Sequence, residues 1–218
     1  TKNQTTAAIN SLNQSLNRIS GRMNYIRSTP NNTSNQNIRL AMNFDNPLVT
    51  EMLNSLSAKF LNKQKETEKW GVWSEGNISF GRIGQQDGNL GQDIHSDGVT
   101  FGIDKRINDE KTIGFAISKS WQETEVGSNE ANMDATAISI MNYTSFKIED
   151  KRFFEMVAGI GEMDIDLSRN VTGGKNTGDR KGNQIFGSLI YLLEPDVEIV
   201  GRNLNYYTRL DLGFTQLK

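Results

Sequence analysis

The chain contains no cysteine and only one histidine among its 218 residues. Without cysteine there is no disulfide scaffold, no thiolate metal site and no cysteine nucleophile. Hydrophobic residues make up only 35% of the chain, and the mean hydropathy is -0.56. No run approaches the ~20 consecutive apolar residues that a membrane-spanning helix requires. These absences exclude several enzyme classes and a helical membrane anchor within this sequence.

Charge of either sign is also not in excess, because the formal net charge is only -2. Composition therefore gives no electrostatic reason to expect a nucleic-acid partner. The sequence begins without methionine and shows no charged and apolar leader, so we expect an interior piece of a longer protein. A low mean hydropathy is still compatible with a transmembrane β-barrel, whose strands put only alternate side chains into lipid.

Residues 1–69 are rich in Asn, Ser, Thr and Gln and carry a helical period. Apolar residues recur at alternating spacings of three and four, which predicts one helical stripe. The stripe consists of Ile9, Leu12, Leu16, Ile19, Met23 and Ile26. Packing inside a pore, packing on another domain and self-association all fit this stripe. A second helix is predicted to begin with Asn46 as N-cap and Pro47 in the first turn.

From Trp70 onward the hydrophobic period changes to two, which predicts β-strands over a second region, residues 70–218. Four runs alternate cleanly and three are less regular, so we predict seven strands. They lie near 70–80, 98–104, 113–118, 134–146, 152–167, 181–193 and 205–214. The polar links near 83–97, 120–133 and 165–181 are interpreted as long loops, and the links near 108–110, 149–150 and 194–196 as short turns. Such alternation is typical of outer-membrane barrels.

The two faces of the clean strands differ in chemistry. In a barrel, the polar face would line the lumen, and its candidates are Trp73, Glu75, Asp104, Arg209 and Asp211. The uncharged face would meet lipid, and its candidates are Val72, Ile78, Phe80, Val99, Phe101, Ile103, Ile113, Phe115, Ile117, Leu210 and Leu212. Trp70, Trp73, Tyr206 and Tyr207 are candidates for an interfacial aromatic girdle. A soluble core also excludes charge, so these patterns alone leave a soluble β-sandwich or lipocalin-like barrel open.

Residues that suggest chemistry are few. His95 lies in a polar segment near Asp93 and Asp97, and a solvated histidine is the preferred interpretation. The sequence Gly173-Gly174-Lys175 lacks the spacing and the strand-to-helix context of a phosphate-binding loop. We therefore predict no enzyme activity, no cofactor and no metal site.

Four segments resemble a known family in order and spacing. They are LNRISGRMNYIR at 16–27, WGVW at 70–73, SDGVTFGID at 96–104 and IGFAIS at 113–118. Together they resemble the autotransporter β-domain, the translocator of type V secretion systems. The last three are similar to the first strands of that domain, and the first is similar to the helical segment that precedes it.

The resemblance implies a mainly β protein: an antiparallel transmembrane β-barrel of about twelve strands, preceded by an α-helical segment in or near its pore. It implies residence in the outer membrane of a Gram-negative bacterium and export of an N-terminal passenger. The expected partners are outer-membrane lipid, the protein's own passenger, the barrel-assembly machinery and periplasmic chaperones.

Two departures from the family pattern are visible. Only seven strands are predicted, and the chain ends Gln216-Leu217-Lys218 without a terminal aromatic residue. We expect a partial barrel, truncated after about seven strands. The alternative functions are a soluble β-rich binding or adhesion module with a helical arm, and a porin-like outer-membrane channel.

Overall fold

The computed structural model of the chain describes residues 2–28, 70–84, 91–127, 131–194, 198–199, 202–203 and 206–218. The helix predicted to begin at Asn46 lies outside the described residues. The described elements are one helix and nine strands. They are α1 (Lys2–Ser28), β1 (Trp70–Ile83), β2 (Gln92–Asn108), β3 (Lys111–Val126), β4 (Ala131–Glu149), β5 (Arg152–Val171), β6 (Gly174–Leu193), β7 (Glu198–Ile199), β8 (Arg202–Asn203) and β9 (Tyr206–Leu217).

Seven of these strands form one antiparallel sheet in the order β1-β2-β3-β4-β5-β6-β9, and β7 pairs only with β8. The prediction of seven main strands is confirmed. Each strand of this sheet pairs with the next of the seven along the chain, so the sheet is a simple meander without crossovers. The sheet is not closed: β1 and β9 are its edges, and no described strand pairs with their outer sides.

The predicted long loops at 120–133 and 165–181 are wrong, because most of these residues belong to strands. Only Thr172 and Gly173 separate β5 from β6, and Gly173 supplies a φ of 96° at this tight turn. Near their ends these strands carry polar side chains on both faces, as at Gln122 and Glu123 on β3 and at Ser168 and Arg169 on β5. A strand with two polar faces has no period of two and is indistinguishable from a loop in sequence. Conversely, the turn predicted at 194–196 opens a longer link that carries β7 and β8.

Helix α1 packs on one face of the sheet through the predicted apolar stripe. Leu12, Leu16, Ile19, Met23 and Ile26 are all buried, whereas Ile9 is 51% exposed and points away from the strands. The stripe is therefore confirmed except at Ile9. Within the described residues, α1 does not combine the length and the apolar composition needed to cross a bilayer.

Contacts across the whole width of the sheet show that it curves around α1. The helix contacts β2, β3, β4, β5, β6 and β9, and Trp73 of β1 joins the same buried cluster. Seven strands spaced ~4.8 Å apart would be ~29 Å wide if flat, and a helix is only ~10 Å across. A helix can reach both edges only if the sheet wraps it. We call the face against α1 the concave face and the opposite face the convex face.

Candidate pore site

Strand β3 shows most clearly how the two faces divide. Its concave positions are buried and small or polar, and its convex positions Phe115 and Ile117 are each 56% exposed. The concave residues are Thr112, Gly114, Ala116, Ser118, Ser120, Gln122 and Thr124. Strand β3 buries its hydroxyl-bearing side chains under a helix and leaves its large apolar side chains outside, which is the reverse of a strand in a water-soluble sheet.

Small hydroxyl residues on both elements let the helix approach the sheet. Ser11 Oγ lies 3.2 Å from Ser120 Oγ, and Ser15 Oγ donates to Ser118 Oγ at 3.4 Å. Further toward the N-terminus of α1, Gln184 Nε2 donates to the Ala8 carbonyl oxygen at 3.5 Å. These hydrogen bonds satisfy polar groups on both the helix and the sheet. This part of the interface therefore does not depend on close packing of large apolar side chains.

A buried ion pair fixes the middle of the site. Arg22 Nε and Nη2 donate to Asp104 Oδ2 and Oδ1 at 2.7 and 2.9 Å, and the two side chains are only 3% and 1% exposed. Tyr143 donates its hydroxyl hydrogen to Asp104 Oδ2 at 2.7 Å, and Trp73 Nε1 donates to the Tyr143 hydroxyl at 2.6 Å. The Asp104 carboxylate therefore accepts two hydrogen bonds from the Arg22 guanidinium and one from the Tyr143 hydroxyl. These charge-assisted bonds offset the cost of burying the carboxylate.

Arg18 lies one helical turn away and also points into the sheet. Its Nε donates to Asn77 Oδ1 at 2.8 Å, and its Nη1 donates to Ser118 Oγ at 2.7 Å. A Cβ at Gly98 would lie 1.8 Å from Arg18 Nη2, so glycine at this position makes room for the guanidinium. Glu75 also lies against the helix, because a Cβ at Gly21 would lie 3.1 Å from Glu75 Oε2.

The C-terminal end of α1 is held at the end of the sheet where β4 turns into β5. Arg27 Nη1 donates to Glu155 Oε1 at 2.6 Å, and Arg27 Nε donates to Glu194 Oε1 at 3.0 Å. A cation in the last turn also interacts favourably with the helix dipole. The N-terminal Ala7 and Ala8 pack at the other end, against Met133 and Ile165. The helix therefore runs from one end of the sheet to the other.

The convex face carries a continuous apolar row across six strands. Its members are direct partners in the strand register, from β2 to β9. They are Phe101, Ile117, Ile140, Ile160, Ile185 and Phe214. Ile117, Ile140, Ile160, Ile185 and Phe214 are each more than half exposed. A contiguous apolar surface of this extent is rare on monomeric soluble proteins.

The height of this apolar belt matches a bilayer. Along β5 the convex positions between Arg152 and Glu162 are uncharged, and they are Phe154, Met156, Ala158 and Ile160. An interval of about ten residues rises ~34 Å along a strand, and a strand tilt of ~40° leaves ~26 Å along the membrane normal. The apolar band of outer-membrane barrels is ~25 Å tall.

Comparison with known families decides between a membrane and a soluble sheet. The sequence matches the profile described as the autotransporter beta-domain over residues 72–191, which is more than half of the chain and covers β1 to β6. The chain belongs to the autotransporter beta-domain family. Members of this family reside in the outer membrane of Gram-negative bacteria, and this autotransporter β-domain shares that location. The predicted family and location are confirmed.

The fold of this autotransporter β-domain is similar to the translocator domain of the autotransporter NalP from Neisseria meningitidis. The two chains are 16% identical, with a TM-score of 0.52 over 77% of this chain and 58% of that one. The present chain thus spans less than two thirds of the length of NalP's domain, and at this identity the likeness concerns the fold. The membrane pore complex of pneumolysin shares 9% identity over 81% of this chain and 37% of that one, with a TM-score of 0.11, too low to support an argument. No curated protein sequence matches the chain.

The residues predicted for the lumen all lie on the side of the sheet that faces α1. Trp73 and Asp104 are brought together by Tyr143. Arg209 Nη1 donates to Asn17 Oδ1 at 2.8 Å, and Arg209 Nε donates to Asp211 Oδ1 at 2.7 Å. The aromatic-girdle prediction is wrong for Trp73, which is buried against the helix. His95 lies on β2 and stacks on Phe80 on the convex face, with ring centroids 4.6 Å apart.

The convex candidates vary in exposure. Seven of those predicted to face lipid are at least 40% exposed: Ile78, Phe80, Ile103, Phe115, Ile117, Leu210 and Leu212. Val72, Phe101 and Ile113 are half-buried between neighbouring side chains, and Val99 is buried. In the strand register Val99 lies opposite Gly76 and Lys119.

Sequence reasoning missed the arginines of the helix and their partners. Arg18, Arg22 and Arg27 lie along α1 beside its apolar stripe, and this spacing is a signal that was available. When arginines lie beside the buried apolar stripe of a helix, the surface that packs on the helix is predicted to carry polar partners. A purely hydrophobic surface would leave the guanidinium groups unpaired. Tyr143 and Glu155 lie on the less regular strands, where alternation did not identify the inner face.

A double-mutant cycle tests the pair at the C-terminal end of α1. Arg27→Ala, Glu155→Ala and the double variant are expected to show a coupling of about 1.5–3 kcal/mol, because the pair is charged and largely buried. The side chains are 11% and 3% exposed. The measurement is urea-induced unfolding of the complete protein in detergent micelles.

The matched control is the pair of Arg82 and Asp93, at a similar distance of 2.6 Å but with side chains 80% and 55% exposed. Water screens this pair, so no measurable coupling is expected. Absence of measurable coupling between Arg27 and Glu155 would show that this pair does not hold the C-terminal end of α1.

Proposed function

We propose that this chain forms part of the wall and the resident helix of an outer-membrane translocator that exports its own N-terminal passenger. One observation carries the proposal: α1 traverses the concave face from end to end. A helix of 27 residues is ~40 Å long, about the thickness of a bilayer with its interfaces. The polypeptide attached before Lys2 therefore leaves at one end of the barrel, and β1 begins at the other.

The chemistry of the concave face supports a pore for polypeptide. Trp73, Glu75, Asp104, Arg209 and Asp211 are proposed to line the lumen. Their hydrogen-bonding groups provide hydrated surface for a traversing chain, and α1 occupies that surface once export is complete. The proposed role needs no catalysis by this chain, since the barrel only has to supply a protected path.

The proposed division of the chain follows the same logic. Residues 1–69 form the helical pre-barrel segment and residues 70–218 the wall. The edge strands β1 and β9 pair with no other described strand on their outer sides, and their backbone groups there must pair before they enter hydrocarbon. Barrel-assembly machinery and periplasmic chaperones are the proposed partners that protect these edges until the sheet closes. Outer-membrane lipid covers the convex face.

A single charge on the convex row tests the membrane role. Ile160 is 61% exposed at the centre of the row, and Ile160→Arg in the complete protein is expected to cost ~2–4 kcal/mol at the bilayer midplane. The expected result is a several-fold loss of heat-modifiable barrel in outer-membrane fractions and of passenger at the cell surface.

The matched control is Asp166→Arg, on the same face of β5 but above the apolar belt. It is expected to leave assembly and export unchanged. If Ile160→Arg instead gives a folded, detergent-free monomer with unchanged stability, the chain is a soluble β-rich binding module. If the barrel assembles but no attached passenger reaches the surface, a porin-like channel is favoured.

A further inference from the structure

Arg18 is buried against the wall without a carboxylate as hydrogen-bond partner. The residue is 2% exposed, and every acceptor that it has among the described residues is a neutral amide or hydroxyl oxygen. Arg22 and Arg27 differ, because they donate to the carboxylates of Asp104 and Glu155. A buried cation is costly unless its donors are satisfied, so the neutral wall around Arg18 must supply a complete set of acceptors.

Four acceptors take all five N–H groups of this guanidinium. Nε and Nη2 both donate to Asn77 Oδ1, the first at 2.8 Å. Nη1 donates to Thr100 Oγ1 at 3.2 Å and to Ser118 Oγ at 2.7 Å, and Nη2 also donates to Gln14 Oε1 of α1 at 3.0 Å. The three wall acceptors lie on β1, β2 and β3. They form a preformed surface that matches a planar group with five donors.

Gly98 leaves the space in which the guanidinium plane lies. A Cβ on Gly98 would lie 2.6 Å from Arg18 Cζ and 2.9 Å from Nη1, and closer still to Nη2. Gly98 has no positive φ among the described backbone angles, so glycine is needed here for space and not for conformation. Glu75, two residues before Asn77 on β1, supplies opposite charge to Arg18 without accepting a hydrogen bond from it.

The ion pair between Arg22 and Asp104 does not by itself define where α1 rests. Arg18 precedes Arg22 by one helical turn, so a movement of α1 by ~6 Å would bring Arg18 to Asp104 instead. The carboxylate would again hold an arginine. The space over Gly98 would then receive Gln14, whose amide carries two N–H groups where a guanidinium carries five. The neutral acceptors therefore distinguish two positions of the helix that Asp104 alone does not.

We propose that Asn77, Gly98, Thr100 and Ser118 form a guanidinium-binding site on the pore wall, and that capture of Arg18 fixes the position at which α1 rests. The site discriminates against an ammonium group, which is compact and has three donors and no planar fork. During export it stops the outgoing chain when Arg18 arrives. Only this last role rests on the proposed function, because the position of α1 is measurable whether or not a passenger is exported.

Disulfide cross-linking in the complete protein reports the position of α1. Ser11 Oγ and Ser120 Oγ are 3.2 Å apart, so Ser11→Cys with Ser120→Cys is expected to form a disulfide at the resting position. Ala7→Cys or Ser15→Cys, each with Ser120→Cys, reports a helix displaced by one turn in either direction. Because these 218 residues contain no cysteine, each introduced pair is the only one within them. With the site intact, only the Ser11 pair is expected to cross-link in assembled barrels.

Gly98→Ala fills the site without removing any of its hydrogen-bonding atoms. The yield of the Ser11 pair is expected to fall about fivefold and a displaced pair to appear, because the methyl group takes the place of the guanidinium. Gly81→Ala on β1 is the matched control, since its Cβ would meet only Ile94 Cβ, at 3.8 Å. The control is expected to keep the yield of the Ser11 pair. An unchanged yield in Gly98→Ala overturns the proposal.

Chemical rescue separates guanidinium binding from a general loss of stability. Arg18→Ala removes the guanidinium but leaves the wall intact, and the yield of the Ser11 pair is again expected to fall about fivefold. N-ethylguanidinium, which replaces the deleted atoms, is expected to restore the yield, whereas ethylammonium at the same concentration is not.

Equal effects of the two compounds, or no effect of either, overturn the binding site even where Gly98→Ala does not assemble. Rescue by N-ethylguanidinium alone supports the site. If this rescue occurs but the unsubstituted protein exports no attached passenger, the proposed function is overturned and the binding site stands.

Discussion

Gly114→Val is expected to abolish the stable barrel, although it adds only three carbon atoms. A Cβ at Gly114 would lie 2.1 Å from Cζ of Tyr143, and Tyr143 is buried, with 1% of its surface exposed. Displacing the ring would break its bonds to Asp104 and Trp73. Overpacking alone typically costs ~1–3 kcal/mol, and each broken bond in a buried network adds ~1 kcal/mol or more. We expect a total loss of about 4 kcal/mol.

The measurement is the fraction of heat-modifiable, folded protein and its urea midpoint in micelles. Gly174→Val is the matched control, because a Cβ at Gly174 on β6 would meet no atom within 4 Å. The control is expected to fold as the unsubstituted protein does. A folded Gly114→Val barrel with an unchanged midpoint would show that Tyr143 does not pack over Gly114 in the membrane.

Arg22→Met is expected to release α1 from the middle of the pore. Removing one partner of a buried pair leaves the other charge uncompensated, at a cost of ~3–5 kcal/mol. Asp104 would remain 1% exposed, with only the hydroxyl of Tyr143 as a described donor. If α1 leaves the concave face, water reaches the Asp104 carboxylate, and the cost of the unpaired buried charge is removed. In planar bilayers the complete protein should change from a low, blocked current to an open-channel current several-fold larger.

The double variant Arg22→Met with Asp104→Leu separates charge from packing. Replacing both partners with apolar residues of similar volume is often neutral or stabilising, so the blocked current and the stability should largely return. Arg82→Met is the control for loss of a surface arginine, since Arg82 is 80% exposed. An open current in the double variant equal to that of Arg22→Met would contradict the role of the ion pair.

Much of the wall could be predicted from alternation in the sequence. Where one face meets the helix and the other meets lipid, the two faces differ, as at Gly114, Phe115, Ala116 and Ile117 on β3. Toward the strand ends the convex positions become charged, as at Asp164, Asp166 and Asp179, so an apolar side chain no longer marks the convex face. The sequence therefore predicts the membrane-embedded part of each strand well and its extensions poorly.

The site was predictable only in part, because its partners lie far apart in sequence. The pairs of Arg22 with Asp104 and of Arg27 with Glu155 are separated by 82 and 128 positions. No local period relates such residues. Asp104 was identified because β2 alternates cleanly. Tyr143 was not, because both faces of β4 contain Ile, Met or Tyr, and Glu155 was not, because Phe153 and Phe154 put phenylalanine on both faces of β5. The exposure of Ile9 had no local signal either, since it depends on which side of α1 the open sheet leaves uncovered.

The central claim is that the convex face of the sheet meets hydrocarbon and the concave face meets the helix. A nitroxide scan along β5 in lipid bilayers tests it most directly, and because these 218 residues contain no cysteine, each introduced label has a single site within them. Labels at Met156, Ala158 and Ile160 are expected to collide strongly with oxygen and weakly with a water-soluble nickel complex, whereas labels at Val157 and Met163 should be shielded from both. Strong nickel collisions at Met156, Ala158 and Ile160, or the loss of the period of two, would contradict the account.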